Sequence, residues 1–194
     1  MTPIAPNELV ILRHAPADHG GRLCGRTDVA ACLPGDDVLG PLRGLLTDCE
    51  VVSSPARRCR ETAEALFPGR GYAQDDRLWE QDFGEDERRA FEKLPDLGPL
   101  SFDALARHAS HGGESFLDMV GRVEPALREI AKHVRAVGPT LIVAHAGTAR
   151  AGLRLALEHP ALGLKFEVAP LSLTRLRCLD DGFSIIATNQ CLSL

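Results

Sequence analysis

Two histidines in this chain each follow a short run of apolar residues. His14 comes after Arg13 and the run 9–12, and His145 comes directly after the run 141–144. Imidazole titrates near neutral pH and is a competent covalent nucleophile. The guanidinium of Arg13 is a planar, permanently charged fork that suits phosphate oxygens. Taken alone, either histidine is more often a hydrogen-bonded residue of the partial core. The repeated arrangement favours a shared phosphate pocket.

The segment SSPARRCRETA at 53–63 has the chemistry of a helix start. A hydroxyl residue followed by Pro55 predicts a capped helix that runs to about Phe67. The free N–H groups of its first turn favour an anion. We expect Arg57 and Arg60 to form a solvated basic face; one of the three arginines in this segment pointing inward is enough for a phosphate clamp.

Glu80 is the candidate general acid. It follows Trp79 and precedes Phe83. A carboxylate beside large apolar residues loses hydration, which favours its protonated form and suits proton donation. The alternative is a surface glutamate, which is the more common placement of this residue type.

The elements that must position these groups alternate between strands and helices. Strands are predicted at 9–12, 51–52 and 141–144, with a closing hairpin from 171–176 and 183–187. This order predicts a three-layer α/β/α sandwich around a mainly parallel sheet. In such sheets ligands bind beyond the carboxyl ends of the strands, and both histidines fall there.

The helices are predicted from periodicity and from helix breakers. Residues 16–40 are rich in Gly, Asp and Pro and are interpreted as a loop, followed by short helices at 42–46 and later at 148–157. A longer amphipathic helix begins near Phe116, and Pro125 is expected to kink or split it.

The length of 194 residues fits one domain at 1–194, with a charged, lid-like insertion at about 85–113 that includes a short helix near 102–109. The net charge of -5 argues against a nucleic-acid or membrane-surface binder. The start of the chain does not resemble a signal peptide, so a cytoplasmic location is expected. The six cysteines form no C-x-x-C pair, and we expect free, mostly buried thiols; the alternative, a disulfide scaffold, is typical of short secreted chains.

Four blocks, in order, resemble the histidine phosphatase superfamily, also called phosphoglycerate mutase-like. They are LRH at 12–14, SSPARRCRETA at 53–63, LWEQDFG at 78–84 and VAHAG at 143–147. The segments CGRTD at 24–28 and GES at 113–115 are similar to the branch that contains alpha-ribazole phosphatases. The resemblance implies the phosphoglycerate mutase-like fold and a metal-independent phosphatase that needs no cofactor.

The resemblance also implies a role for each matching residue. His14 would attack phosphorus and form a phosphohistidine. Arg13, Arg58 and a protonated His145 would hold the phosphoryl oxygens, and Glu80 would donate a proton to the leaving oxygen. The catalytic set is therefore His14, Glu80, His145, Arg13 and Arg58, and the substrate-binding set is Arg13, Arg58, His145, Gly25 and Ala146, with no metal ligand.

Two positions depart from the family pattern. Ala15 replaces the usual glycine after the first histidine, and Gly20 stands where an asparagine often contacts phosphate. The substrate is expected to be a small phosphorylated metabolite, with alpha-ribazole 5'-phosphate of cobalamin synthesis as the first candidate. The alternatives are a protein phosphohistidine phosphatase, a phosphoglycerate mutase and a non-catalytic phospholigand-binding domain. The oligomeric state stays open.

Overall fold

A six-stranded sheet forms the middle layer of the protein, in a computed structural model that describes residues 2–157 and 159–192. The strand order is β3-β2-β4-β1-β5-β6. The first four strands are parallel, β5 pairs antiparallel with β1, and β6 pairs antiparallel with β5. This confirms the mainly parallel sheet and the closing hairpin. The strands are β1 (Glu8–Arg13), β2 (Glu50–Ser53), β3 (Ala73–Gln74), β4 (Thr140–Ala144), β5 (Leu173–Cys178) and β6 (Phe183–Gln190).

Helices cover both faces of this sheet, which confirms the three layers. Because successive side chains of β1 point to opposite faces, Leu9 and Ile11 pack into one apolar cluster and Val10 and Leu12 into the other. The helices are α1 (Asp36–Leu46), α2 (Arg57–Leu66), α3 (Phe102–Arg107), α4 (Phe116–Ala136) and α5 (Ala146–Arg154). The first cluster contains the buried faces of α4 and α5, and the second contains those of α1 and α2.

The register of the central strands brings three chain segments together at one edge. Arg13 of β1 lies opposite Ala144 of β4, and the N–H of His14 extends this pairing by donating to the Ala144 carbonyl at 2.8 Å. On the other side of β4, the N–H of Ser54 donates to the Val143 carbonyl at 3.0 Å. Since all three strands are parallel, the residues that follow them leave the sheet side by side.

The bounds of several predicted elements are wrong in detail; the helix predicted at 148–157, for example, is α5 and spans Ala146–Arg154. α1 begins at Asp36, inside the predicted loop, and contains Pro41. α4 runs without a break across Pro125, since buried residues on both sides of the proline pack against the sheet and outweigh one lost backbone hydrogen bond. The two-residue strand β3 was not predicted, because a pair of exposed residues carries no periodicity.

The expected insertion consists of short helices between β3 and α4. Two 3-10 helices span Gly84–Asp86 and Phe91–Lys93, and α3 ends at Arg107, two residues before the predicted end. The insertion contacts the loop after β1 through an isolated antiparallel bridge between Arg22 and Ala90. This contact links the insertion to residues that lie next to the strand edge described above.

All six cysteines are free, as predicted, but the expectation that most are buried is wrong. Cys49, Cys59 and Cys178 are buried, whereas Cys24 is half-buried and Cys32 and Cys191 are exposed. Within residues 2–157 and 159–192, no helix combines the length and the apolar character that crossing a membrane requires.

Candidate active site

The imidazoles of His14 and His145 lie side by side beyond the ends of β1 and β4. Their ring centroids are 5.3 Å apart and the rings meet edge to face at 70°. Both residues are buried, with exposed fractions of 5% and 0%. The strand register alone accounts for this proximity, because each histidine is the first residue past a paired position.

The hydrogen bonds of His14 define which ring nitrogen is free to react. Its Nδ1 lies 2.6 Å from the carbonyl oxygen of Ala15. A carbonyl oxygen only accepts, so Nδ1 carries the proton and Nε2 keeps its lone pair. Burial, with further contributions from the charges of Arg58 and Arg13, lowers the pKa of His14 to about 3. The imidazole is therefore neutral, and its Nε2 is a candidate nucleophile.

Arg58 is the most deeply buried cation of the site, with 1% of the residue exposed. Its Nε–H donates to His14 Nε2 at 3.2 Å, and one terminal nitrogen lies 3.3 Å from His145 Nδ1. The two terminal nitrogens also donate to the carbonyl oxygens of Gly25 at 2.8 Å and Thr27 at 3.2 Å. The guanidinium fork is thus fixed between both imidazoles, where it would meet the oxygens of a phosphoryl group.

His145 is neutral in this structure, in contrast to the protonated form expected from the sequence. Burial, together with the nearby charge of Arg58, lowers its pKa well below the usual value. Its Nδ1 faces a donor nitrogen of Arg58 and so holds a lone pair, which leaves Nε2–H to donate to Ser54 Oγ at 2.9 Å. An arriving phosphate dianion would favour protonation of Nδ1, since opposite charges at close range raise the pKa of an imidazole.

Arg13 is half-buried at the end of β1 and has spare donor capacity. One of its terminal nitrogens donates to the carbonyl of Val168 at 2.5 Å, but within the described residues its buried Nε finds no acceptor. Burial lowers its pKa; the carboxylate of Glu80 opposes this, while the charges of Arg150 and Arg58 add to it. A bound anion would satisfy the free donor and offset this repulsion between cations.

Glu80 projects to the first turn of α5. Its Oε2 accepts from the N–H of Gly147 at 3.3 Å. A Cβ on Gly147 would lie 2.2 Å from Glu80 Oε1, so only glycine permits this approach. The backbone carbonyl of Glu80 is held by the guanidinium of Arg122 at 3.3 Å, and Arg122 in turn forms an ion pair with Glu114 at 2.7 Å. The carboxylate is therefore positioned from both sides.

The other predicted site residues contribute backbone groups. Gly25 is buried and presents its carbonyl to Arg58, and Ala146 is the half-buried first residue of α5. Ala15 is fully buried, and its N–H donates to Thr62 Oγ1 at 3.0 Å. Gly20 has a φ of +56° and lies in an exposed turn, a conformation that also suits the asparagine often found there.

Sequence reasoning missed three side chains that hold the site together. Ser54 was predicted to cap α2, but that helix begins at Arg57 without a side-chain cap, and Ser54 contacts His145 instead. The hydroxyl of Thr62 connects the backbones of Ala15 and Arg58. The carboxylate of Glu87 accepts from the loop that precedes Asp28. None of these carries a local signal, because their partners are distant in sequence.

The arrangement combines a neutral nucleophile, two cationic forks and a carboxylate around one small space. Such a set can transfer a phosphoryl group to an imidazole without a metal ion, since the arginines supply the positive charge. Across residues 2–157 and 159–192, no group of three or more potential metal ligands is found.

Comparison with known proteins gives one family match over most of the chain. A family model described as histidine phosphatase superfamily (branch 1) matches residues 9–190. A glucosyl-3-phosphoglycerate phosphatase from Mycolicibacterium vanbaalenii is 30% identical over 183 residues, which covers 84% of this chain and 77% of that protein.

Two solved structures illustrate the fold similarity. A mycobacterial glucosyl-3-phosphoglycerate phosphatase in complex with VO3 superposes with a TM-score of 0.80 at 26% identity, covering 95% of this chain and 99% of that one. A candidate alpha-ribazole-5'-P phosphatase from Escherichia coli superposes with a TM-score of 0.78 at 19% identity, covering 96% of this chain and 98% of that one. At that identity the second likeness concerns the fold alone.

The low pKa of His14 predicts a pH dependence of stability. In the unfolded chain the imidazole has a pKa near 6.5, whereas in the folded protein it is about 3. Between these values only the unfolded state takes up a proton, so the free energy of unfolding falls as pH drops below 6.5. From pH 7 to pH 5 this histidine accounts for a loss of roughly 2 kcal/mol.

His14→Gln removes that titration, so the variant should lose roughly 2 kcal/mol less than the parent over this pH range. Urea unfolding of both proteins at pH 7 and pH 5 measures the difference. Equal losses in parent and variant would contradict the neutral, buried imidazole.

Proposed function

The chain belongs to the histidine phosphatase superfamily, branch 1, and from this premise we propose that it hydrolyses a small cytoplasmic phosphomonoester through a phosphohistidine on His14. One observation carries the proposal: the lone pair on Nε2 of the neutral His14 lies against the guanidinium fork of Arg58. Nucleophile and phosphate clamp are therefore in contact before any substrate binds.

In the first step the phosphate oxygens take the donors of Arg58, Arg13 and His145. This frees Nε2 of His14 to attack phosphorus in line with the ester bond. A P–N bond forms as the P–O ester bond breaks, and Glu80 gives its proton to the leaving oxygen. The products of this step are the free alcohol, a phosphoimidazole and an ionised Glu80.

In the second step water replaces the alcohol beside Glu80. The carboxylate accepts a proton from the water as its oxygen attacks phosphorus, and the P–N bond breaks. Inorganic phosphate is released and His14 regains its neutral form. Glu80 is protonated again, which is the form that the first step requires, so protons and charges balance over both steps.

A cleft of about 260 Å³ between the loop after β1 and the segment after Glu80 supports a leaving group with an apolar part. Gln81, the residue after Glu80, lines this cleft, and Phe83 packs against Gly25 at the clamp. The remaining apolar lining comes from Leu23, Leu94, Pro95, Leu97, Leu105, Phe116 and Leu164, and the other polar lining residues are Asp86, His108 and Ser110. An aromatic base such as that of alpha-ribazole would bury apolar surface there, which favours alpha-ribazole 5'-phosphate as the substrate.

The relatives favour a second candidate substrate. The curated relative that matches 84% of this chain acts, by its name, on glucosyl-3-phosphoglycerate. That compound joins a sugar to a glycerate and has no apolar ring to place in the cleft. One candidate substrate would place an apolar ring in the cleft and the other would not. Comparing kcat/KM for the two substrates distinguishes them.

Replacing the nucleophile should abolish turnover. His14→Gln is expected to lower kcat on p-nitrophenyl phosphate by at least about 10³-fold, because a covalent mechanism loses its first step. Rapid quenching in alkaline detergent with a 32P-labelled substrate should trap a base-stable, acid-labile phosphoenzyme in the parent only. His133→Gln is the matched control, since this exposed histidine pairs with Glu50 at the opposite edge of the sheet. Activity of His14→Gln within tenfold of the parent would reject the nucleophile.

Replacing the general acid should slow phosphoenzyme formation by different factors for different substrates. Glu80→Gln keeps the shape of the side chain but cannot donate the proton that an alkoxide needs on leaving. We expect about 10²–10⁴-fold slower phosphoenzyme formation from an alkyl phosphate and a much smaller effect with p-nitrophenyl phosphate, whose leaving group is a weak base. Single-turnover rates on both esters measure this. Equal slowing would mean that Glu80 only supports the arginines.

The cleft can be tested by changing one of its walls. Leu105→Gln should lower kcat/KM for alpha-ribazole 5'-phosphate about tenfold and leave β-glycerophosphate nearly unchanged. Val137→Gln, an exposed apolar position just after α4, is the control. The parent should prefer alpha-ribazole 5'-phosphate to glucosyl-3-phosphoglycerate. The opposite preference would transfer the proposal to the second candidate.

A further inference from the structure

The carboxylate of Glu87 lies behind the loop that holds Arg58, on the side away from the imidazoles. It accepts hydrogen bonds from the N–H of Gly25 at 3.0 Å, of Arg26 at 2.8 Å and of Thr27 at 3.0 Å. The hydroxyl of Thr27 adds a fourth bond at 2.6 Å. One carboxylate therefore gathers the donors of three consecutive residues, an arrangement that fixes the loop in a single conformation.

The peptide group between Gly25 and Arg26 connects Glu87 to Arg58 directly. Its N–H donates to Glu87 Oε1 at 2.8 Å, and its carbonyl oxygen accepts from Arg58 at 2.8 Å. A negative and a positive charge thus lie at opposite ends of one planar dipole, each aligned with the end that it stabilises. Any rotation of this peptide would break both bonds together.

Two features keep Glu87 opposite the loop. The N–H of Arg88 donates to the carbonyl of Leu23 at 2.8 Å, and the N–H of Leu23 donates to the carbonyl of Arg89 at 2.9 Å. Gly25 itself packs so closely that a Cβ would lie 1.9 Å from the carbonyl oxygen of Gln81. The loop and the insertion are consequently fitted to each other on both sides of Glu87.

The electrostatics agree with an ionised carboxylate. Partial burial alone would raise the pKa of Glu87, but the hydrogen bonds from Thr27 and from backbone N–H groups outweigh it and lower the pKa. The charge is directed at backbone donors, and the loop lies between it and the phosphate pocket. Backbone N–H groups and the Thr27 hydroxyl therefore stabilise the charge of Glu87.

We propose that Glu87 is a positioning residue, which orients the Gly25–Arg26 peptide so that its carbonyl holds the Arg58 fork against the transferring phosphoryl group. This inference rests on the proposed function. In the sequence, Glu87 is one of three consecutive acidic residues, and nothing there distinguishes it from the other two. With this role for Glu87, the groups that position the phosphate clamp include a residue of the insertion.

The test compares Glu87→Gln with Glu85→Gln. Both remove one negative charge from the same segment, but Glu85 is exposed and, among the described residues, forms an ion pair with His111 alone. In Glu87→Gln an amide NH2 replaces one acceptor and faces backbone N–H donors, so the loop must shift. We expect kcat/KM to fall about 10–100-fold, by the same factor on p-nitrophenyl phosphate and β-glycerophosphate, with Glu85→Gln within about twofold of the parent.

A double-mutant cycle with Arg58→Lys separates positioning from general support of the fold. Lysine cannot donate to both loop carbonyls as a fork. Adding Glu87→Gln to Arg58→Lys should therefore lower kcat/KM by less than about twofold. Losses that multiply in the double variant, or a Glu87→Gln protein as active as Glu85→Gln, would overturn the inference. If Glu87→Gln does not fold, Thr27→Val, which removes only the hydroxyl bond, should lower kcat/KM several-fold, and parental activity would overturn the inference.

Calorimetric titration with orthovanadate keeps this test independent of turnover. Orthovanadate affinity should fall in Glu87→Gln and stay at the parental level in Glu85→Gln. If the parent hydrolyses no phosphomonoester, the proposed function fails, while the orthovanadate affinities still support or reject the positioning role. If the parent turns over and the two variants bind orthovanadate equally, only the positioning role fails.

Discussion

The guanidinium of Arg58 is almost completely removed from water, and a buried cation is stable only if its donors find acceptors within the protein. Two imidazole nitrogens and two loop carbonyls supply them. This requirement explains why the histidines must be neutral, since a lone pair on each ring faces the guanidinium. It also explains why the loop at 25–27 must have one fixed shape, because its carbonyl oxygens complete the set.

The same constraint prepares the site for an anion. The donors of Arg58 are divided between two imidazole nitrogens and two carbonyl oxygens, and Arg13 retains a donor with no acceptor among the described residues. A phosphate dianion offers several oxygens and would accept from the free donor of Arg13 and from the Arg58 Nε–H that faces His14, while the loop carbonyls keep their bonds to Arg58. Binding would free Nε2 of His14 for attack and favour protonation of His145, so the pocket acquires its reactive protonation state only with substrate present.

Much of this could be predicted from the sequence, and the failures have identifiable causes. The apolar runs before His14 and His145 have the period and the boundaries of buried parallel strands, and the parallel sheet follows from their alternation with helices. The start of α1 was missed because Gly40 and Pro41 mimic a loop, although the helix runs across this proline. Of the two effects predicted for Pro125, a kink or a split, the split did not occur, because tertiary packing on both sides of the proline keeps α4 continuous.

The sequence by itself determined the layered fold, the residue types at the strand ends and the membership of a family, because these depend on local periodicity and on ordered motifs. Only the tertiary structure decided the protonation state of His145, the change of Ser54 from helix cap to imidazole partner, and the contact of Glu87 with the loop at 25–27. Burial and hydrogen bonding between residues far apart in the chain set these properties. A pattern of nearby residues contains no information about such partners.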